Sequence, residues 1–312
     1  MLTMQRIFTE PCLGIEITSR ALRLGLLSRS GDTANAVAMT SLPLPAGMIT
    51  ESYALAPFSD RDGLVSLLRS SIQSVTARPV RRVGLSIPDG IFRVQIIEFD
   101  ELPARSHDRD RLIRWRIEKG AAFDTANTLL RYQVHERPDK GYSVLACVAK
   151  QDIIAHYESV LAELGLETWA IVPSSLNVLN LYAPALLARN TPGFALAWIT
   201  EGSHVTIIME RGGPRFYRYK ELRTGAAEDV TTRLLRELDD SLHFYMHRDR
   251  QQASEVSRLS LAGDPVLLAP LGEELKRATA LDVEILAPGM VIPSSDASPA
   301  MAAALGAGGS LC

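Results

Sequence analysis

The sequence predicts an α/β protein made of two related halves, and three features support this fold class. Segments with the patterns of strands and helices alternate along the chain, which is typical of layered α/β domains. A unit of strand, short polar turn and strand occurs at residues 14–27 and recurs at residues 194–209. The length of 312 residues suits about two domains of ordinary size. We therefore expect two lobes, each built on a mixed five-stranded sheet with helices.

The elements of the first half follow from apolar spacing and from turn residues. Leu22, Leu24 and Leu26 alternate along one segment, which predicts a half-buried strand. Apolar residues recur at helical spacing in residues 61–74, and the Pro and Gly content of residues 42–47 predicts a loop. The predicted strands are 14–17, 21–27, 82–88, 92–99 and 142–148, and the predicted helices are 61–74, 107–119 and 152–164.

The second half repeats the opening of the first. After a boundary near residues 191–193, the predicted strands are 194–199, 204–210 and 215–220. The polar turn at residues 200–203 joins the first two of these strands, and a helix is predicted at residues 230–244.

Composition excludes several classes of function. The chain is 46% apolar and 22% charged, with a net charge of −3, which argues against non-specific nucleic-acid binding. Residues 1–6 lack a signal-peptide pattern, and no stretch approaches the roughly 18 apolar residues of a membrane span. We therefore expect that a protein partner brings the chain to any membrane at which it works.

No metal site is expected. The cysteines at positions 12, 147 and 312 form no CxxC pair and no zinc-ligand spacing with histidines. His243 and His247 lie four residues apart on a predicted helix, but no acidic residue stands between them as in HExxH and no third ligand is evident.

Several segments, in the same order along nearly the whole chain, resemble those of the type IV pilus assembly protein PilM family, a branch of the actin-like ATPases related to the cytoplasmic part of the type II secretion L protein. They are GIEITSRALRL (14–24), LPLPAGMI (42–49), VGLSIP (83–88), LIRWRIE (112–118), IVPSSL (171–176), LRELDDSLHFY (235–245), LSLAGD (259–264) and AAALGA (302–307). The resemblance implies a two-lobed actin-like fold, a duplicated ribonuclease H-like fold, with an inserted small α/β subdomain. The implied first-lobe core is 1–84 plus 151–191, the inserted subdomain is 85–150, and the second lobe is 192–312 with a reduced fourth subdomain.

The resemblance also implies a nucleotide site between the lobes, and this sequence departs from it. Glu16 and Trp198 stand where the family has aspartates, and Thr18 and Thr200 stand where it has glycines that let backbone approach phosphate. We therefore expect a degenerate, non-hydrolysing site with no catalytic residue, in which ATP and magnesium, although implied by the family, are not bound. The positions that correspond to the cofactor site are Glu16, Thr18, Ser19, Arg20, Thr200, Gly202, Gly225, Glu237 and Gly263.

The function implied by the resemblance is that of a cytoplasmic scaffold, peripheral at the inner membrane, in type IV pilus or related secretion machinery. Its implied partner is the N-terminal tail of a PilN-like bitopic membrane protein, bound in a groove beside the inserted subdomain; self-association stays open. The residues expected to contact this partner are Arg93, Val94, Ile96, Ile113, Arg114 and Trp115.

Two other functions of the same fold remain open. An active actin-like ATPase or a sugar-kinase-like phosphotransferase would need an aspartate near the lobe junction, for which Asp100 and Asp124 qualify by residue type. A relative of the cell-division protein FtsA would be expected to end in an amphipathic membrane-binding helix, which residues 310–312 do not offer.

Overall fold

Three sheets form the framework of the protein. The computed structural model describes residues 12–30, 33–137, 140–189, 191–222, 229–248, 256–292 and 297–309. Within these residues there are two five-stranded mixed sheets and one three-stranded sheet, with seven α-helices packed against them. The predicted pair of five-stranded lobes is therefore confirmed.

The first lobe is built on a sheet with the strand order β3-β2-β1-β4-β8. Its strands are β1 (Cys12–Ile17), β2 (Ala21–Ser30), β3 (Thr33–Pro43), β4 (Arg82–Ile87) and β8 (Glu167–Pro173). Helices α1 (Arg61–Val75) and α3 (Gln151–Glu163) bury apolar side chains against one face, together with a core that includes Leu13, Leu24 and Leu85.

The other face of this sheet is covered by α7 (Ala302–Gly309), which comes from the far end of the chain. Small residues allow a very close approach: a Cβ added at Gly14 would lie 1.9 Å from the Ala304 carbonyl oxygen. At Gly84 it would lie 2.1 Å from that of Ala307. Helix α4 (Ser174–Leu187) packs against α7 and contacts the second lobe, so it joins the two halves.

The inserted subdomain has its own sheet and core. Strands β5 (Arg93–Phe99), β6 (Thr128–Glu136) and β7 (Tyr142–Lys150) form an antiparallel sheet in the order β5-β7-β6. Helix α2 (Ser106–Gly120) covers it and buries Ile113 and Ile117 against Ile97 and Val144.

The second lobe repeats the plan of the first, with the strand order β11-β10-β9-β12-β13. Its strands are β9 (Gly193–Ile199), β10 (Ser203–Glu210), β11 (Gly213–Glu221), β12 (Val256–Gly263) and β13 (Asp282–Ile285). The hairpin β9–β10 takes the place that β1–β2 has in the first lobe, and β12 runs parallel to β9 as β4 does to β1. Helices α5 (Val230–Arg248) and α6 (Pro265–Ala278) pack on this sheet.

One predicted element is wrong. Residues 42–47 were expected to be a loop throughout, but Leu42 and Pro43 end strand β3, and both pair with residues of β2. Pro43 is tolerated because β3 is an edge strand, where a missing N–H need not interrupt a ladder. Among the described residues no helix is long and apolar enough to cross a membrane.

Candidate functional sites: the interlobe cleft and the subdomain groove

Thr18 closes the turn between β1 and β2 through hydrogen bonds to other residues of the same turn. The Thr18 backbone N–H donates to the Ala21 carbonyl at 3.0 Å. The Thr18 hydroxyl oxygen accepts from the backbone N–H groups of Arg20, at 3.2 Å, and Ala21, at 3.0 Å. A phosphate-binding turn needs such N–H groups free to face an anion. Here the threonine that stands in place of glycine occupies two of them.

The turn between β9 and β10 is built in the same way. The Thr200 backbone N–H donates to the Ser203 carbonyl at 2.9 Å, and the Thr200 hydroxyl accepts from the Ser203 N–H at 3.1 Å. Thr18 and Thr200 occupy matching positions in the two turns. In each turn the threonine hydroxyl accepts a backbone hydrogen bond from a residue of the same turn and so stabilises it. The two turns face each other across a space between the lobes that we call the interlobe cleft.

The carboxylate of Glu51, which lies outside both hairpins, accepts a hydrogen bond from a further N–H group of the first turn. The Ser19 backbone N–H donates to Glu51 Oε1 at 2.7 Å, a short and charge-assisted hydrogen bond. Across the mouth of the cleft, Arg20 Nε lies 3.3 Å from Glu201 Oε2, so an exposed ion pair joins the two turns.

Glu16 is buried beneath the first turn. Its Oε2 lies 2.9 Å from Arg23 Nη1, and Arg23 is its cross-strand neighbour on β2. Burial raises the pKa of the Glu16 carboxyl, while the charge and hydrogen bond of Arg23 act to lower it. The cation next to this carboxylate is therefore a side chain of the same hairpin.

Asp89 lies at the lobe junction, just after β4. Its carboxylate accepts hydrogen bonds from the Ser175 hydroxyl and backbone N–H on α4, and from the Tyr217 hydroxyl on β11 at 2.9 Å. Burial raises the pKa of Asp89 to about 6, and the hydrogen bonds of Ser175 and Tyr217 oppose that rise. The side chain joins three elements from both lobes.

The space left in the interlobe cleft is about 60 Å³, far below the roughly 300–1,000 Å³ of typical ligand pockets. Of the predicted cofactor residues, Thr18, Ser19, Arg20, Thr200, Gly202 and Gly263 line this cleft. Glu237 does not; it pairs with Lys220 at 3.6 Å. Gly225 lies outside the described residues.

Of two further groups of predicted residues, one lines the cleft and the other lies away from it. Trp198 lines the cleft but is buried among apolar side chains of β9, β10 and α4. Asp100 and Asp124, which a phosphotransferase would need at the lobe junction, are exposed on the inserted subdomain side, and Asp124 pairs with Lys150. Among the described residues no cluster of three His, Cys, Asp or Glu side chains is arranged to hold a metal ion.

A larger space lies between the inserted subdomain and the first lobe, and we call it the subdomain groove. Its volume is about 460 Å³, within the range of binding pockets. It is bordered by β6, an edge of the three-stranded sheet, and by β8, an edge of the first-lobe sheet. Its lining includes Phe92, Leu129, Leu145, Ile154, Trp169, Ile171, Val172, Leu176 and Leu179.

The edge of β8 is turned toward this groove. Residues 168–173 all line it in succession, although neighbouring side chains of a strand point to opposite faces. Six consecutive lining residues therefore indicate that the groove runs along the open edge of β8 and not along one face of its sheet. Trp169 on this edge is 52% exposed, and the Arg82 guanidinium lies over its ring at 5.3 Å.

The residues predicted to contact a partner do not line the subdomain groove. Ile113 is fully buried in the core of the inserted subdomain, so its expected contact with a partner is wrong. Arg93 and Val94 line a different cavity, where the Arg93 guanidinium lies over the Tyr53 ring. Arg114 and Trp115 are exposed on α2, and Ile96 is half-buried on β5.

Sequence reasoning missed three residues that shape these sites: Glu51, Asp89 and Trp169. Glu51 lies 32 positions from its hydrogen-bond partner Ser19, and no motif connects them. Asp89 directly follows the predicted strand 82–88, and an acidic residue at a strand end was an available signal. Trp169 carried no signal, because its strand β8 was not predicted.

Comparisons with known proteins support the fold. No family model and no curated protein matches the chain. A solved structure of the PilM-PilN type IV pilus biogenesis complex contains a chain that is 18% identical, with a TM-score of 0.80 over 96% of this chain and 98% of that chain. A Bacteroides thetaiotaomicron protein with an actin-like ATPase fold matches with a TM-score of 0.54 at 12% identity, covering 94% and 96%.

The cytoplasmic domain of EpsL, an inner membrane component of the type II secretion system of Vibrio cholerae, matches with a TM-score of 0.52 at 10% identity, covering 96% of this chain and 95% of that domain. The chain therefore has the actin-like ATPase fold. The resemblance to PilM expected from the sequence is confirmed at the level of structure.

Proposed function

We propose that this chain is a scaffold protein of type IV pilus or related secretion machinery, working in the cytoplasm at the inner membrane. It binds the N-terminal tail of a bitopic membrane protein similar to PilN. The observation that carries the proposal is the subdomain groove, a mainly apolar space of about 460 Å³ between two sheet edges, in a chain that is similar in structure to one chain of a PilM-PilN complex.

The groove suits a short extended peptide. An exposed strand edge offers backbone N–H and C=O groups that a peptide strand can pair with, and apolar pockets beside it hold alternate side chains. Both borders of the groove, β6 and β8, are edges, and apolar side chains from α3, α4 and β7 form its floor. Backbone pairing would provide affinity and the pockets would select apolar side chains.

The chemistry of the cleft supports a scaffold that does not hydrolyse ATP. Thr18, Thr200 and Glu51 occupy N–H groups of the turns, and the remaining volume is about 60 Å³. Close approach of backbone to phosphate, which this fold needs for nucleotide binding, is therefore opposed at both turns. Binding a peptide in the groove requires none of these groups.

The proposal is tested by titrating the purified chain with fluorescently labelled N-terminal peptides of small bitopic membrane proteins encoded beside it. We expect one of them to bind with micromolar affinity, about −8 kcal/mol, and a scrambled peptide of the same composition not to bind. If no such peptide binds at concentrations near 1 mM, the scaffold proposal in this form is wrong.

A further inference from the structure

We propose that the first turn of the interlobe cleft is an anion site that the chain fills with its own carboxylate, Glu51. This internal ligand fastens one end of a strap, residues 49–58, whose other contacts hold the inserted subdomain. The proposal does not depend on the scaffold function, because its test uses the isolated chain without a peptide.

The hydrogen bonds of the first turn leave one donor for an outside acceptor. The N–H groups of Thr18, Arg20 and Ala21 are used within the turn, whereas the Ser19 N–H donates to Glu51 Oε1 at 2.7 Å. A carboxylate oxygen on a backbone N–H resembles a phosphate oxygen in charge and in acceptor geometry.

Charged side chains of both signs surround this carboxylate, since Asp89, Glu201 and Asp264 also line the cleft. Arg20 and Arg23 line the same cleft as Glu51, one from the turn and one from β2. Each arginine also pairs with a carboxylate, Arg20 with Glu201 and Arg23 with Glu16. Guanidinium groups and the Ser19 N–H, which loses its acceptor when Glu51 is replaced by alanine, together form the kind of site that takes an oxyanion.

The strap is closed at its base. The Thr50 N–H donates to the Pro57 carbonyl at 2.8 Å, and Ile49 forms a bridge with Phe58. Glu51 stands next to this closure, so the position of its side chain is set by the loop and not by a freely moving segment.

Two residues after Glu51, the strap is anchored in the inserted subdomain. Tyr53 is buried, and its hydroxyl donates to the Asp124 carbonyl at 3.0 Å. Its ring meets Phe123 edge-on with centroids 5.5 Å apart, and the Arg93 guanidinium lies 4.4 Å from the ring centre. One short segment therefore contacts the cleft through Glu51 and the inserted subdomain through Tyr53.

The test replaces the internal ligand by an external one. In the Glu51→Ala variant, we expect inorganic phosphate at tens of millimolar to raise the melting temperature by several degrees beyond potassium chloride of equal ionic strength. The wild-type chain and Glu51→Gln, whose amide oxygen can still accept from Ser19, should show no such difference. Should Glu51→Ala fail to fold, Glu51→Ser is measured in the same way.

Amide hydrogen exchange separates the two ends of the strap. Glu51→Ala should speed exchange at Ser19 and around Tyr53, and phosphate should slow it again at Ser19 but not around Tyr53. The proposal is overturned if the folded alanine or serine variant responds to phosphate no more than the wild type. It is also overturned if the wild-type chain itself gains the phosphate effect, or if exchange at Ser19 does not change on substitution.

Discussion

The interlobe cleft is lined by residues that directly follow β4 and β8, whereas the subdomain groove runs along the outer edge of β8, and the two spaces differ in almost every respect. The cleft holds about 60 Å³, and its turn donors are bonded to Thr18, Thr200 and Glu51. The groove holds about 460 Å³, is mainly apolar and is bordered by two strand edges. A fold that usually places its ligand between the lobes here offers its open, bindable surface beside the inserted subdomain.

The largest expected effect concerns the cleft and the pH dependence of stability. The carboxyl of Asp89 has a pKa raised to about 6 by burial, whereas an unfolded aspartate titrates near 4. Between these values the folded chain holds a proton that the unfolded chain has released, so stability falls as pH rises from about 4 through 6. The pKa difference corresponds to a loss of about 3 kcal/mol, an order-of-magnitude figure.

The Asp89→Asn variant cannot titrate at this position. The difference in free energy of unfolding between wild type and variant should therefore fall by about 3 kcal/mol between pH 4 and pH 7, measured by urea denaturation at several pH values. If the free energies of unfolding of the two proteins changed with pH in the same way, the pKa of Asp89 would be the same in the folded and the unfolded chain, contrary to this prediction.

The next effect distinguishes the groove from the surface of α2. Trp169 and Trp115 are both 52% exposed, but only Trp169 lines the groove. Buried aromatic anchors carry much of the energy of peptide binding, so Trp169→Ala should weaken binding of the partner peptide by about tenfold, or about 1.4 kcal/mol. Trp115→Ala is the matched control and should change the dissociation constant less than twofold. Fluorescence anisotropy titrations measure both dissociation constants. If Trp115→Ala weakened binding more than Trp169→Ala, the partner would bind the α2 surface predicted from the sequence and not the groove.

A smaller effect is expected at the mouth of the cleft. The ion pair between Arg20 and Glu201 joins the lobes, but both side chains are more than half exposed. Exposed pairs contribute roughly 0–1 kcal/mol, so Glu201→Ala should change the free energy of unfolding by no more than about 0.5 kcal/mol. A loss of several kcal/mol in urea denaturation would mean that this pair, and not the Asp89 hydrogen bonds, holds the lobes together.

The smallest effect is expected from nucleotide. A ligand present at about 100 times its dissociation constant stabilises a protein by roughly 2.7 kcal/mol. Because Thr18, Thr200 and Glu51 accept hydrogen bonds from N–H groups of the turns and Trp198 is packed in the core, Mg-ATP at millimolar concentration should leave the melting temperature within about one degree of its starting value. A rise of several degrees with Mg-ATP that EDTA abolishes would contradict our account of the cleft.

The two turns show how much of the site follows from sequence. The strand–turn–strand pattern places the two turns, and the resemblance to the PilM family, which has a glycine in each, identifies Thr18 and Thr200 as substitutions. The hydrogen bonds that each threonine makes lie within its own turn, and the loss of nucleotide binding expected from them stays a prediction. Local apolar patterns and turn residues also predicted β1, β2, β4, β5, β7, β9, β10 and β11, whereas β3, β6, β8, β12 and β13 were not among the predicted strands.

The groove was not predictable in the same way. Its borders β6 and β8 belong to two different sheets. They come together only through the tertiary fold, which the spacing of residues within a segment does not reveal. The sequence led instead to Ile113 and Trp115, one of which is core and the other outside the groove. Glu51 shows the same limit, since its partner Ser19 is distant in the chain.

The central claim, that the groove and not the cleft receives the partner, is tested most directly by amide hydrogen exchange of the full chain with and without saturating partner peptide. The account predicts slower exchange along β8 (Glu167–Pro173) and β6 (Thr128–Glu136), because a bound strand would pair with N–H groups of these edges. Exchange at Ser19 and Ser203, in the turns of the cleft, should stay unchanged. Protection confined to the two turns, with β6 and β8 exchanging as in the free chain, would contradict it.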